Sequence, residues 1–179
     1  MSTGWRYSSM AIALHWLSAF LLAAMAALGW YMMTIEHQPD GPWYINIHKA
    51  CGLLTAVLVA FRLPWRLTHR PSALPASVWR LQARLAHGTQ AMLYLVMVLM
   101  PVSGYLGSSF SKSGVHLFGM DLAQWAMRDH DSKKFFFNMH SVLIWVLVTL
   151  VSVHVLGALT HLLIDKDGVF QRIGFKLRS

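Results

Sequence analysis

The stretch from Asn138 to Ile164 constrains the fold more than any other part of the chain. It is almost wholly apolar and long enough to cross a bilayer, yet it contains His140, His154 and His161. An ionisable side chain inside a membrane segment is costly and usually marks a functional site. His140 and His154 are fourteen residues apart, close to four helical turns, so we expect them on one helix face. Their separation along the axis would be roughly 21 Å.

Three further apolar runs precede this stretch, in a chain of 179 residues that is 56% hydrophobic and only 12% charged. We therefore predict an all-α fold, an integral membrane four-helix bundle that forms one domain over residues 1–179. The first run is too long for a signal-peptide core and has no small-residue cleavage site, so we expect it to be retained. The predicted spans are Met10–Met33, Trp43–Leu63, His87–Gly107 and Phe136–Ile164.

Cysteine chemistry contributes little to this protein, because Cys51 is the only cysteine. A single thiol excludes an internal disulfide, and the absence of C-x-x-C-H excludes covalent attachment of haem c. Thiolate zinc and iron–sulfur sites within the chain are excluded for the same reason.

The formal charge of +8 is unevenly distributed along the chain. An excess of Lys and Arg marks cytoplasmic segments, so we predict that both termini and the second connection are cytoplasmic. The basic composition is then a topology signal, and no nucleic-acid partner is expected. The residues concerned are Arg6, Arg62, Arg66, Arg70, Arg80, Arg84, Lys166, Arg172, Lys176 and Arg178.

Histidines on the other spans supply facing partners for those of the fourth. A haem b held by two neutral imidazoles is an electron carrier, and it requires two histidines at equal depth on facing helices. On the outer side, His48 and His140 meet this requirement. On the inner side His15 is one ligand, and the partner is His154 or His161; helical geometry alone leaves both open.

A basic stripe lies just before the third span. Arg80, Arg84 and His87 are spaced as neighbours on one helix face. They form either a positive-inside stripe at the lipid headgroups or one wall of a polar pocket at the cytoplasmic surface.

Five pieces of the sequence stand in order on the predicted spans: ALHW, IHKACG, LAHGTQAMLY, the spacing MH(x13)H(x6)H and the closing DKDGVFQRI. Together they resemble the bacterial cytochrome b561 family, which is close to the cytochrome b subunits of hydrogenases and formate dehydrogenases. The resemblance implies two haem b groups, a periplasmic one on His48 and His140 and a cytoplasmic one on His15 and His154. It places His161 near the inner haem, where relatives bind quinone. His87 would lie there too, with Arg80 and Arg84 as donors to quinone or to haem propionates.

The resemblance also implies a function, electron transfer across the bacterial inner membrane between a periplasmic one-electron donor and ubiquinone. One activity in the family is superoxide oxidation, which makes the chain an oxidoreductase candidate. Lys49, Lys133 and Lys134 near the outer haem would attract a small anion. Two alternatives stay open: a membrane anchor and electron conduit for a partner dehydrogenase or hydrogenase, and a haem-free protein that uses its histidines as proton relays.

Overall fold

Four long helices make up most of the protein in the computed structural model, which describes residues 6–69, 73–75, 78–112, 114–117, 120–122 and 125–174. Each is long and apolar enough to cross a membrane. The prediction of an all-α bundle with four spanning helices is therefore confirmed. The helices are α1 (Ser9–Thr34), α2 (Gly41–Thr68), α3 (Arg80–Ser109) and α4 (His130–Thr160).

Local sequence signals explain where the helices begin. The sequence offers Ser8 or Ser9 as the cap of the first helix. In the structure the Ser8 hydroxyl accepts a hydrogen bond from the backbone N–H of Ala11 at 3.3 Å. The Asp129 carboxylate accepts from the N–H of Ser132 at 2.9 Å and caps α4 in the same way. At the start of α2, a Cβ on Gly41 would lie 2.5 Å from the carbonyl oxygen of Ile35, so only glycine fits.

Three helices extend well beyond their predicted spans. Of these, α4 begins at His130, before the predicted Phe136. The sequence predicted that the second helix ends between Arg62 and Pro64, which is wrong: α2 continues to Thr68. Proline removes one N–H donor and crowds the carbonyl four residues earlier, so the turn that follows Pro64 needs other stabilising contacts. The Thr68 hydroxyl also lies 2.9 Å from the Pro64 carbonyl oxygen, which supports the last turn.

The third helix also differs from its prediction at both ends. Pro101, Gly104 and Gly107 predict either a kink or an early end of the third helix. The helix begins at Arg80 and continues through Pro101 to Ser109, so the early end does not occur.

The segment VWRLQARLAHG predicts a short helix that begins at Ser77 and leads into the third span. From Arg80 onward this helix is part of α3 itself. Its predicted first residue, Ser77, lies outside the described residues.

The outer connection between α3 and α4 contains a small antiparallel ladder, β1 (His116–Leu117) and β2 (Met120–Asp121). The apolar residues of this connection predict a short helix lying in the membrane interface. The described part of the connection contains no such helix. The ammonium group of Lys49 donates to the carbonyl of Gly114 at 2.9 Å, which ties the connection to α2.

The two ends of the described chain meet at the opposite end of the bundle. The N–H of Tyr7 donates to the carbonyl of Arg172 at 3.2 Å. The indole N–H of Trp16 donates to the carbonyl of Ile173 at 3.0 Å. Between α4 and this tail, the backbone forms a π-helical turn over His161–Asp165. We call this end of the bundle the inner end.

Large apolar side chains on the outside of the bundle are left uncovered by the fold. Phe20, Phe61 and Trp145 are each more than 60% exposed. A contiguous apolar exterior of this kind suits a hydrocarbon solvent rather than water.

Candidate functional site

The outer histidine pair consists of His48 on α2 and His140 on α4. Their ring centres lie 6.3 Å apart. Both side chains are only partly exposed, and they face each other at the same level of the bundle. The structure therefore brings together the two residues that the sequence predicted as partners on the outer side.

The inner pair consists of His15 on α1 and His154 on α4, with ring centres 6.2 Å apart. The fourth helix thus presents one imidazole to α2 and another to α1, fourteen residues further along the chain. His161, the alternative partner, instead contacts two carboxylates beyond the helix end. Between the two alternatives left open by sequence spacing, the geometry favours His154.

Both separations fit one metal ion between two imidazoles. A metal–imidazole bond of about 2 Å on each side, with about 1 Å from each nitrogen to its ring centre, gives about 6 Å between axial ligand rings. The two observed distances, 6.3 Å and 6.2 Å, agree with this value.

Hydrogen bonding prepares His140 to act as a ligand. Its Nδ1 lies 3.0 Å from the carbonyl oxygen of Met100, and since a carbonyl only accepts, Nδ1 carries the proton. The other ring nitrogen, Nε2, then has a free lone pair. A carbonyl that orients a histidine in this way is the usual outer-shell partner of a metal ligand. The buried hydroxyl of Ser103 lies 3.0 Å from the same Nδ1.

His48 presents a buried nitrogen without a partner. Its Nδ1 is inaccessible to solvent and makes no hydrogen bond. Buried polar atoms are normally paired, but His48, unlike His140, lacks the hydrogen bond at Nδ1 that would fix the orientation of its ring.

Two glycines make room for the outer rings. A Cβ on Gly29 of α1 would lie 3.1 Å from Cε1 of His48, and one on Gly104 of α3 would lie 3.2 Å from Cε1 of His140. Both distances are shorter than ordinary van der Waals contact. Because glycine has no side chain, the backbones of α1 and α3 lie close to the histidine pair at these positions. A flat ring bound between helices requires such close approach without intervening side chains. Gly29 and Gly104 were not among the residues predicted for the site, although their position on neighbouring spans was a usable signal.

Arg62 is a site residue that the sequence analysis treated only as a topology signal. Its guanidinium donates to Nδ1 of His15 at 3.0 Å and lies over the ring of Tyr94, 5.5 Å from the centroid. Arg62 follows His48 by fourteen residues, the same interval that separates His140 from His154. That repeat of the interval was the signal that could have identified it.

A second polar cluster lies at the inner end, around His161. Nδ1 of His161 is 2.6 Å from Oδ2 of Asp167 and 3.5 Å from Oδ2 of Asp165. The side-chain amide of Gln82 on α3 donates to Asp165 at 2.8 Å. His161 is buried, so this is a sheltered imidazole–carboxylate pair. Both aspartates lie in the closing motif DKDGVFQRI, yet neither was predicted as a site residue.

The basic stripe at the start of α3 faces solvent or headgroups. Arg80, Arg84 and His87 are all exposed, and the described contacts of His161 do not include them. Their predicted role beside a quinone stays a prediction.

The predicted outer lysines lie in two settings. Lys49 is half-buried and bound to the Gly114 carbonyl, whereas Lys133 and Lys134 are exposed. Lys133 lies close enough to Lys49 to repel it electrostatically, so these two share one positive region.

Lys133 also lines a cavity of about 360 Å³ at the start of α4. One acidic residue, Asp129, opposes the positive charge there. Hydrogen bonds from the side chain and the backbone N–H of Ser132 lower the pKa of Asp129, so its negative charge persists at neutral pH. The full lining is Phe110, Ser111, Lys112, Arg128, Asp129, His130 and Lys133.

Comparison with known proteins gives one consistent result along the whole chain. A sequence profile of the family described as prokaryotic cytochrome b561 matches residues 6–176. Cytochrome b561 homolog 2 of Escherichia coli (strain K12) is 34% identical over 175 residues, covering 94% of this chain and 90% of the relative. The probable superoxide oxidase CybB of Yersinia pestis is 24% identical over 174 residues, covering 97% and 98%. Cytochrome b561 homolog 1 of Escherichia coli is 27% identical over 180 residues, covering 94% and 96%.

Proposed function

This chain belongs to the prokaryotic cytochrome b561 family, and we propose that it carries electrons across the bacterial inner membrane between an outer one-electron donor and ubiquinone. Membership makes it a multi-pass membrane protein of the haem b class with a role in electron transfer. The observation that supports the finer proposal is the presence of two histidine pairs, 6.3 Å and 6.2 Å between ring centres, at two levels of α4.

Each pair would hold one haem b through its iron, His48 with His140 on the outer side and His15 with His154 on the inner side. Haem b with two imidazole ligands supplies reversible one-electron transfer. The protein contributes ligand orientation, through the Met100 carbonyl at His140, and close helix approach at Gly29 and Gly104. The interval between His140 and His154 sets the two centres roughly 21 Å apart along α4.

Superoxide is the outer donor that we propose. Two superoxide anions would each lose one electron and leave as O₂, while ubiquinone takes up two electrons and two protons. The name of the Yersinia pestis relative supports this substrate, as does the positive region around Lys49 and Lys133. A small anion is attracted by such a region, and the effect is strongest at low ionic strength.

We place ubiquinone at the inner end, beside His161. Quinone reduction consumes protons, and the buried pair of His161 with Asp167 is suited to hold a proton at Nε2 of the imidazole. The Asp167 carboxylate accepts from Nδ1–H and so stabilises the charged ring after protonation. His87, Arg80 and Arg84 would form the outer rim of this site.

The charge distribution supports an orientation with the inner end in the cytoplasm. Arg6, Arg62, Arg66 and Arg172 all lie at this end, where the described termini meet. Protons for quinone reduction would then come from the cytoplasm, whereas superoxide would be oxidised on the periplasmic side.

Reduced-minus-oxidised visible spectra and haem stoichiometry test this proposal, using detergent-purified wild type, His154→Ala and His161→Ala. We expect two haems b in wild type, one in His154→Ala and two in His161→Ala. Loss of a haem in His161→Ala alone would move the inner centre to the membrane surface and contradict the quinone assignment. A soluble redox subunit that co-purifies in equal amount would instead favour the conduit function.

A further inference from the structure

Two guanidinium groups on the inner half of α2 are half-buried without an acidic partner. Arg62 and Arg66 are four residues apart, so they share one helix face. Nη2 of Arg66 lies 3.5 Å from the Gln90 side-chain oxygen, and its Nη1 is buried with no hydrogen-bond partner. In the described ranges of the chain, neither guanidinium is paired with a carboxylate.

Burying these guanidinium groups costs free energy when no anionic ligand is bound. A buried guanidinium retains its charge at any physiological pH. The free-energy cost of removing that charge from water is offset only by an anion or by complete hydrogen bonding. The indole N–H of Trp65, between the two arginines in sequence, is also buried without a partner. This cluster of donors (Arg62, Trp65 and Arg66) therefore indicates a site for an anionic ligand.

The contact between Arg62 and His15 is incompatible with the proposed role of His15. Guanidinium groups only donate, so Nδ1 of His15 accepts in this contact and its proton is on Nε2. A neutral imidazole that binds iron through Nε2 carries its proton on Nδ1 and donates it to a neighbouring acceptor. Ligation through Nδ1 would displace the guanidinium directly. In either case, Arg62 needs another acceptor once His15 holds a metal.

We propose that Arg62 and Arg66 bind the propionate carboxylates of the inner haem. This inference rests on the proposed function, since it requires a haem on His15 and His154. Planar guanidinium groups match carboxylates with two parallel hydrogen bonds, and the haem supplies two such groups. Helix α2 would then hold the outer haem by its iron through His48 and the inner haem by its acid groups. The sequence-based candidates for this role, Arg80 and Arg84, are exposed.

Redox titration of the purified holoprotein, with haem content per chain, tests this assignment in Arg62→Gln, Arg66→Gln and the double variant. Each single substitution should lower the midpoint potential of the inner haem, because an uncompensated propionate favours the ferric state, and should leave the outer potential unchanged. The double variant should retain about one haem per chain. Arg62→Lys should recover part of the lost potential, since it restores the charge without the planar fork.

Lys166→Gln is the matched control, because it removes one positive charge from the exposed surface at the same end. It should leave both potentials at wild-type values. Reconstitution with the dimethyl ester of haem b provides a second measurement that does not depend on the potentials. The ester has no free carboxylates, so the advantage of wild type over the double variant in haem retention should disappear.

Several outcomes would overturn the assignment. Wild-type potentials and two haems in the double variant would show that the arginines do not bind propionates. If that variant also lost a tightly bound phospholipid, a lipid phosphate would be the anion. A wild-type protein without haem would contradict the proposed function itself. That result differs from a protein with two haems whose midpoint potentials do not change when Arg62 and Arg66 are substituted.

Discussion

Nδ1 of His161 lies 2.6 Å from Oδ2 of Asp167, at the point where α4 changes to a π-helical turn. The carboxylate fixes the ring so that Nδ1 donates and Nε2 is available for proton exchange. Oδ1 of the same carboxylate accepts from the N–H of Val169 at 3.0 Å, which holds the carboxylate in place. Single-turn π-helical segments often lie at functional sites, and here the turn positions a buried imidazole close to the membrane surface.

Asp167→Asn should slow quinone reduction without removing either haem. The substitution keeps the shape of the side chain but removes the charge that stabilises a protonated His161. A general acid or base contributes at least about 100-fold, so we expect a loss of that order in steady-state ubiquinone reduction. The measurement is quinone reduction by the pre-reduced protein, followed at several pH values.

Asp165→Asn is the matched control for this variant. Asp165 is more distant from Nδ1 of His161, at 3.5 Å, and it already accepts a hydrogen bond from Gln82. Its substitution should cause a smaller loss than that of Asp167. Equal rates in wild type and Asp167→Asn at every pH would place proton delivery elsewhere in the protein.

Gly104→Ala should disturb the outer haem and not the inner one. The added Cβ would lie 3.2 Å from Cε1 of His140, so the ring must move by a few tenths of an ångström. We expect partial loss of the outer haem, or a shifted low-temperature absorption band, with a normal inner haem. Haem content and spectra of the purified variant provide the measurement.

Gly88→Ala is the matched control on the same helix. It separates the contact of the new Cβ with His140 from the general effect of replacing glycine with alanine in a helix. A Cβ there meets nothing within 4 Å. Alanine is favoured over glycine in a helix interior by about 0.5–1 kcal/mol, so this variant should be slightly more stable and spectroscopically normal. An outer haem equally affected in both variants would contradict the close approach of α3 to His140.

The four spanning helices could be predicted because each is a long apolar segment, and membrane thickness imposes its length. Helix α1, predicted over residues 10–33, agrees within one residue at each end, since Ser8 provides a cap just before it. The ends of α2 and α3 could not be predicted in the same way. Pro64 and the polar residues at the start of α3 resemble a loop locally, and tertiary packing at the inner end overrides that preference.

The histidine pairs were predictable to different degrees. Depth alone paired His48 with His140, because each is near the outer start of its helix. It did not separate His154 from His161, since both share one face of the helix near its inner end. That choice depends on how α1 packs against α4, which places the ring centre of His154 6.2 Å from that of His15. The role of Arg62 depends on a contact between α1 and α2, which spacing within one helix does not reveal.

Lys133→Ala should slow haem reduction by superoxide in a salt-dependent manner. Lys133 lines the cavity at the start of α4 and adds to the positive region around Lys49. Attraction of a small anion by exposed charges is screened within about 10 Å at 0.1 M salt, so we expect roughly a threefold loss at low ionic strength. Stopped-flow absorbance of the haem bands at several salt concentrations provides the measurement, and the difference should vanish at high salt.

Asp129→Asn should have the opposite effect. Asp129 is the only acidic residue among those that line this cavity. Removal of its negative charge therefore strengthens the positive field there. Asparagine is as good an N-cap as aspartate, so α4 should keep its start and its stability. A faster reaction with superoxide, together with an unchanged rate for a neutral reductant, would agree with electrostatic attraction at this surface. The same loss for Lys133→Ala at all salt concentrations, or no gain for Asp129→Asn, would exclude this cavity as the entry route, because neither result follows from a screened field.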